Sequence, residues 1–425
     1  MSLTLVAWLA TYVVLAVRAF THSATYGLSL YIFSFFINPA FWWWGVDTIG
    51  AYRWNLGAAI IFALAVLVER GQDSSKPAVV SSWPTMLGAA LLVNVNLVHF
   101  LLAPSQEVSF ERYLLVVKFV TLFFVLAVCI RNTKDLRLAF WALTLSAAYI
   151  GYEVTINERG QFFDGRLQGI GAAGVQEPNE LAALLGTILP FTAGLFFTGS
   201  VREKIAIAVA GPMILNVVLL CNSRGAFVAL ILGAIVFLIA VKGPARKKVM
   251  RGFALGMLAV YLLLGDPEIA GRFMTTFASA EERDASASYR LVIWGAALSV
   301  LAEHPFGTGG DGFNRVYSRQ YLETGRSTHN GFLSESIEWG LQGLLLKLLF
   351  LGSGVLVVRR AVQQRGFNDT ESTVIGACLI TSMAILVAAS VFADFLDNEW
   401  GYWFVGLMLG FARAYPSLPE ARSKA

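Results

Sequence analysis

Three short stretches carry residue types that could work on one substrate. Asn222-Ser223-Arg224-Gly225-Ala226 sets an arginine at the start of an apolar run, Arg290 comes one helical turn before Trp294, and Thr328-His329-Asn330-Gly331 places a histidine just ahead of another apolar run. Guanidinium groups stay charged and bind phosphate through two parallel hydrogen bonds. A histidine, which titrates near neutral pH, can take a proton from an attacking hydroxyl. Two permanent cations and one base therefore suit a diphosphate-bearing lipid held beside a nucleophilic hydroxyl. Taken singly, each stretch also fits a plainer role, as an arginine at a membrane interface or a histidine that caps a helix.

Other polar residues point less clearly to chemistry. The histidines (His22, His99, His304, His329) are scattered, no His-Glu-x-x-His or Cys-x-x-Cys spacing occurs, and Asp394, Asp397 and Glu399 form only a loose acidic group, so no metal site is expected. A Gly-x-Ser-x-Gly elbow for serine hydrolysis is missing. Lys118 and Lys347 interrupt apolar runs, which predicts a side chain reaching for the interface or an internal ion pair. Asn94, Asn96 and His99 share one run and read as interhelical hydrogen-bonding groups. Gly307-Thr308-Gly309-Gly310-Asp311-Gly312 reads as a tight connection, because no strand precedes it as a phosphate-binding loop requires.

The elements that position these residues follow from composition. Of 425 residues, 56% are hydrophobic and 14% charged, with 31 phenylalanines, which is too little polar surface to cover a water-soluble body of this size. The expected fold is all-α, a polytopic integral membrane protein. Apolar runs long enough to span a bilayer predict 12–13 transmembrane helices, near 3–17, 25–44, 55–69, 84–103, 112–130, 136–156, 178–198, 203–221, 224–241, 248–264, 331–358, 373–392 and 399–415. The second contains Asn38-Pro39 and the aromatic run Phe41-Trp42-Trp43-Trp44, an expected interfacial anchor. Residues 1–17 lack the basic start of a cleavable signal peptide. The three cysteines (Cys129, Cys221, Cys378) lie in or beside apolar runs and assign no compartment.

Loop charge sets the orientation. One set of connections holds nineteen lysines and arginines, among them Lys76, Lys242 to Arg251, Arg422 and Lys424, and the short loops of the alternate set hold only Arg53, Arg112, Arg159, Arg166 and Arg224. Basic loops stay in the cytoplasm, so the C-terminus is expected there, and the net charge of +4 requires no nucleic-acid partner. Residues 265–328 then form one long periplasmic loop between an N-terminal transmembrane bundle (1–264) and C-terminal transmembrane helices (329–425). Within that loop, Leu291, Trp294, Leu298 and Leu301 recur at helical spacing between Ser286 and Glu303, which predicts an amphipathic helix lying on the membrane core or the bilayer surface.

At these same residues the sequence resembles the O-antigen ligase and polymerase superfamily, and within it the O-glycosylation ligases that accompany exosortase systems. The matching stretches are Ser223-Arg224-Gly225-Ala226; Ala285 to Trp294 running on to His304-Pro305-Phe306-Gly307; and His329 to Leu333 followed by Glu338-Trp339-Gly340-Leu341-Gln342-Gly343-Leu344. Glu177-Pro178-Asn179-Glu180-Leu181-Ala182 is similar to the family's short acidic-Asn motif. The first 150 residues add little beyond general layout.

The resemblance implies a bacterial inner-membrane glycosyltransferase of the lipopolysaccharide and polysaccharide pathways, with its active site on the periplasmic face. It would transfer glycan from undecaprenyl diphosphate to an acceptor hydroxyl on a glycolipid, glycan or protein, with inversion and with neither metal nor cofactor. Arg224 and Arg290 would hold the diphosphate and His329 would activate the acceptor. Arg166, Asn179, Asn330 and Trp294 would complete the substrate contacts. A polymerase using the same donor is the first alternative. A lipid or glycan transporter is the second, although such a protein places its polar groups at mid-membrane and often shows internal repeats, and none is visible here.

Overall fold

The computed structural model describes residues 2–72, 82–163, 165–172, 175, 177–263, 280–322 and 325–416, without the side chains of 255–263 and 280–289. Lys76, Arg422, Lys424 and the first part of the long loop, 264–279, lie outside the described residues. The chain is a polytopic helical membrane protein. Among the described residues, eight helices are long and apolar enough to cross a bilayer: Leu3–Thr21, Trp54–Gly71, Trp83–Leu102, Gln106–Cys129, Pro178–Thr198, Val201–Leu220, Gly331–Arg365 and Thr370–Ala389. A helix also stands at each of the other expected spans. Thr25–Phe36, Arg224–Ala240 and Trp400–Ala414 are shorter, and Thr133–Thr155 and Pro244–Leu263 are long but carry charges in their first turns.

In chain order the helices are α1 (Leu3–Thr21), α2 (Thr25–Phe36), α3 (Trp54–Gln72), α4 (Trp83–Leu97), α5 (Gln106–Cys129), α6 (Thr133–Thr155), α7 (Pro178–Thr198), α8 (Val201–Leu220), α9 (Arg224–Ala240), α10 (Pro244–Leu263), α11 (Ala280–Glu303), α12 (Ser318–Tyr321), α13 (Gly331–Arg365), α14 (Thr370–Ala389) and α15 (Trp400–Ala414). A two-stranded hairpin, β1 (Gln161–Phe163) with β2 (Arg166–Gln168), precedes α7. Helices α7, α14 and α15 form the centre. α14 packs along α7 and α9, and α15 packs on α13 and α5. Small residues allow these approaches: a Cβ at Gly354 would stand 2.8 Å from Met408 Sδ, and one at Gly410 2.6 Å from Ile130 Cβ.

One expectation needs correcting, and one is refined. The second span stops at Phe36, where Asn38 caps a 3₁₀ turn, and its tryptophans divide. Trp43 is exposed beside Arg159, whereas Trp42 and Trp44 are buried and their indoles donate to Phe36 O (3.2 Å) and Tyr149 Oη (3.0 Å). In α11, the face against the protein is Ile293, Ala296, Ala297 and Val300, while Leu291 and Leu298 are 66% and 54% exposed and point away from it.

The element that shapes the site is a break in α13. Gly340 has φ +83°, a conformation that glycine adopts without steric cost, and it interrupts the helix. Freed carbonyls must find donors at such a point. The 305–310 stretch supplies them: Thr308 N–H donates to Ile337 O (2.8 Å) and Gly309 N–H to Glu338 O (2.9 Å). Asn94 Nδ2 donates to Trp339 O (2.9 Å), and Leu341 N–H in turn donates to Pro305 O (3.0 Å). The Gly307–Gly312 run is thus a connection docked on a broken helix, and a Cβ at Gly307 would stand 2.9 Å from Glu338 O.

Candidate active site

One end of the bundle gathers the N-termini of α7, α9 and α13, the hairpin, and the loop from Ser390 to Glu399. Pro178 at the first position of α7 fits the fixed φ of a helix start, and it sets Asn179 one residue in. Asn179 Oδ1 accepts from Arg166 Nη2 (2.6 Å) and from Ser223 Oγ (2.8 Å). Arg166 Nε also donates to Cys221 O (3.3 Å). Ser223 caps α9, its Oγ accepting the Ala226 N–H (3.4 Å). Asn179 is therefore the joint between the hairpin and the start of α9.

This joint brings like charges together. Burial of Arg166 holds its pKa below the ordinary arginine value; Cys221 and Glu177 oppose that shift, and the smaller repulsions of Arg290 and Arg224 add to it. Arg224 is exposed at the first position of α9, where the helix dipole already favours an anion. Three separate segments, the hairpin, α9 and α11, thus bring arginines near one another.

His329 lies at the far side of the same region. Its backbone is left-handed (φ +49°) and its side chain is exposed. The residues around it are fixed by Asp394, whose Oδ1 accepts from Thr328 Oγ1 (3.0 Å) and from the Asn330 N–H (3.0 Å), and whose Oδ2 accepts from Ser327 Oγ. Ser327 Oγ also accepts the His329 N–H at 3.3 Å. Burial raises the Asp394 pKa above its ordinary value, as does the charge of Asp397, while the hydroxyls of Ser327 and Thr328 and the charge of His329 oppose that rise. Gly331 N–H closes the seam by donating to Ser390 O (2.8 Å) and Ala393 O (3.0 Å).

Like Arg166 and Asn179, the other two expected substrate contacts, Asn330 and Trp294, have hydrogen bonds within the protein. Asn330 is the N-cap of α13, and its Oδ1 accepts from Phe332 N (3.0 Å) and Leu333 N (3.2 Å). Trp294 Nε1 donates to Thr328 O (3.0 Å), which ties the helix carrying Arg290 to the segment carrying His329. Through these bonds both residues place the site's elements.

Beneath these residues lies a cluster that sequence reasoning missed. Arg112, in the first turns of α5, stands 3.5 Å from Asp397 and 3.9 Å from Asp311. Asp311 N–H donates to Glu338 Oε1 (3.1 Å), and Ser334 Oγ to Asp397 Oδ2 (3.0 Å). Deeper still, Lys347 pairs with Glu335 (3.6 Å) and donates to Tyr402 Oη (2.8 Å), both residues of the pair being nearly inaccessible. Lys347 thus forms the internal pair that was expected, whereas Lys118 is exposed along α5. Asn94 acts as a hydrogen-bonding group between helices, and His99 Nδ1 lies 2.9 Å from Ser109 Oγ, which accepts the Gly310 N–H. Among the described residues, no three His, Cys, Asp or Glu side chains are grouped to hold a metal ion. The signal available in the sequence was the crowding of Asp394, Asp397 and Glu399 between two apolar helices, where each carboxylate must have a partner. For Glu399 that partner is Tyr31 Oη (2.5 Å).

Comparison with known families adds one finding. Residues 208–348 match the family model described as O-Antigen ligase. The matched stretch contains Arg224, Arg290, Trp294, His329 and Asn330, and it ends just past Lys347. Arg166, Asn179, Asp394 and Asp397 lie outside it and join the site by geometry alone. No curated protein matches the chain.

Proposed function

We propose that the protein is a membrane glycosyltransferase of the O-antigen ligase type, transferring glycan from undecaprenyl diphosphate to an acceptor hydroxyl. The observation that carries this reading is the convergence of Arg166, Arg224 and Arg290, from three separate segments, beside the pinned segment that presents His329. A diphosphate gains most from such a group, because charge develops on it as the glycosidic bond breaks, and cations already in place stabilise that charge without rearranging. In the proposed step the acceptor oxygen loses its proton to His329 and attacks the anomeric carbon from the face opposite the diphosphate. The bond from that carbon to the phosphate oxygen breaks, its electron pair leaves with undecaprenyl diphosphate, and the configuration inverts.

Arg224 and Arg290 hold the departing diphosphate, and Arg166, braced by Asn179, adds a third positive group. Asn330, Trp294 and Asp394 keep the His329 segment in register with the arginines. Loop charge puts this end of the bundle in the periplasm, together with the segment 265–328, and puts the C-terminus in the cytoplasm.

The test is transfer from a purified lipid-linked donor by arginine variants in proteoliposomes. Arg224→Ala and Arg290→Ala should each weaken donor use by ~2–5 kcal/mol, the usual cost of removing one charged partner from a desolvated anion site. Lysine at either position should restore only part of that loss, because it keeps the charge without the planar fork. Normal transfer by both alanine variants at limiting donor would reduce these residues to interface anchors.

A further inference from the structure

The opposite end of α9 carries a cleft that the proposed reaction does not use. It encloses about 310 Å³ and lies over α14, between the last turns of α9 and those of α13. A helix of 17 residues separates it from Arg224 by roughly 25 Å at ~1.5 Å per residue. Val236, Val355, Val362 and Ile380 form apolar walls, and Lys242, Arg359 and Gln363 stand at its polar end. Thr373 also lines it: the residue is 1% exposed, and its hydroxyl has no hydrogen-bond partner. A buried hydroxyl is seldom left so.

Among the described residues no carboxylate forms an ion pair with Lys242 or Arg359. Lys242 Nζ lies 5.2 Å from the Phe367 ring centroid. The nearest acidic residues along the chain are committed elsewhere, Asp369 to Arg365 and Glu371 to Tyr415 Oη (3.0 Å) and Arg137 (3.8 Å). Ile235, Ile239 and Leu356 beside the cleft are 49%, 68% and 50% exposed, so its outer border is the apolar surface that faces acyl chains. Apolar walls, two cations at one end and a buried hydroxyl between them match one class of molecule.

We propose that this cleft binds an anionic glycerophospholipid from the leaflet opposite the active site. Its phosphate would lie on Lys242 and Arg359, an ester oxygen would accept the Thr373 hydroxyl, and an acyl chain would run along Val236 and Val355. A free phosphate would use the charges and gain nothing from the walls. The proposal stands independently of the transferase reading, since it uses neither the arginines nor His329.

The experiment uses the full chain in phosphatidylcholine nanodiscs doped with phosphatidylglycerol, with retained lipid counted by native mass spectrometry. Wild-type protein should retain phosphatidylglycerol preferentially. Lys242→Gln and Arg359→Gln should each weaken that retention about fivefold, as removal of one basic group near an anionic headgroup does. Arg246→Gln with Lys247→Gln, which removes twice the charge of either single variant but outside the cleft, should leave it unchanged. Ala240→Trp, which fills the cleft from its lining, should abolish it without loss of charge. Equal losses from the Arg246/Lys247 pair would show diffuse surface attraction and overturn the site. Displacement of the lipid by inorganic phosphate at comparable concentration would show a soluble-anion site and overturn it equally.

Discussion

Two groups of charges meet at the same end of the bundle and are handled in opposite ways. Around Arg166 the charged neighbours are Glu177, Arg290 and Arg224, so arginines outnumber carboxylates, and its hydrogen bonds go to neutral groups, Asn179 Oδ1 and Cys221 O. Around Arg112 and Lys347 the neighbours are carboxylates, with Asp311, Asp397 and Glu335 at 3.5 to 3.9 Å. A mixed cluster neutralises itself, and here it also fastens the connection at Asp311 to the broken helix through Glu338. A like-charged cluster raises the free energy of the protein by itself and lowers it when an anion arrives. The first kind is therefore architecture, and the second is where a diphosphate would be bound.

That contrast is sharpened most by breaking the mixed cluster. Lys347→Met leaves Glu335 buried without its partner and should destabilise the protein by ~3–5 kcal/mol, whereas Lys347→Met with Glu335→Leu should restore most of the loss, since an apolar pair of similar volume often replaces a buried ion pair at little cost. Thermal unfolding in detergent measures both. If the single variant unfolds at the wild-type temperature, the pair is not architectural. Loss of donor binding by a folded double variant would show that the two clusters are one site.

A smaller effect distinguishes the boundary between them. The pKa of Asp394 is raised in the folded protein, so its contribution to stability is fully present below the unfolded aspartate value of about 3.9 and is lost as pH rises through the raised value. Unfolding temperature should therefore fall with rising pH across that window, and Asp394→Asn should flatten the slope. Equal slopes would mean that Asp394 titrates as it does in the unfolded chain.

The smallest expected change is at Asn330. Its side chain caps α13, and replacing such a cap by alanine costs ~1 kcal/mol. Asn330→Ala should thus lower stability modestly and leave donor affinity intact. Donor affinity that falls as far as in Arg224→Ala would return Asn330 to the substrate.

The spans were legible because a bilayer demands apolar runs of fixed length, and every run marked in the sequence carries a helix. Arg224, Arg290 and His329 stood out as candidates because each stands beside an apolar run in a chain with few charges. The break at Gly340 was not legible, since it depends on donors brought from Thr308, Gly309 and Asn94, far away in sequence. Arg112 was hidden for the same reason: Asp311 and Asp397 are distant along the chain and meet it only when α5, the docked connection and the loop before α15 come together. Which face of α11 meets protein was not legible either, because its sequence offers two apolar faces and helical spacing alone cannot choose between them.

The division of labour between the arginines and His329 is the central claim, and single-turnover transfer from pre-bound lipid-linked donor tests it most directly. His329→Ala should bind donor as wild type does and transfer its glycan ~10²–10⁴ times more slowly, the usual worth of a general base. Near-normal single-turnover transfer, or a loss of donor binding equal to that of Arg224→Ala, would contradict it.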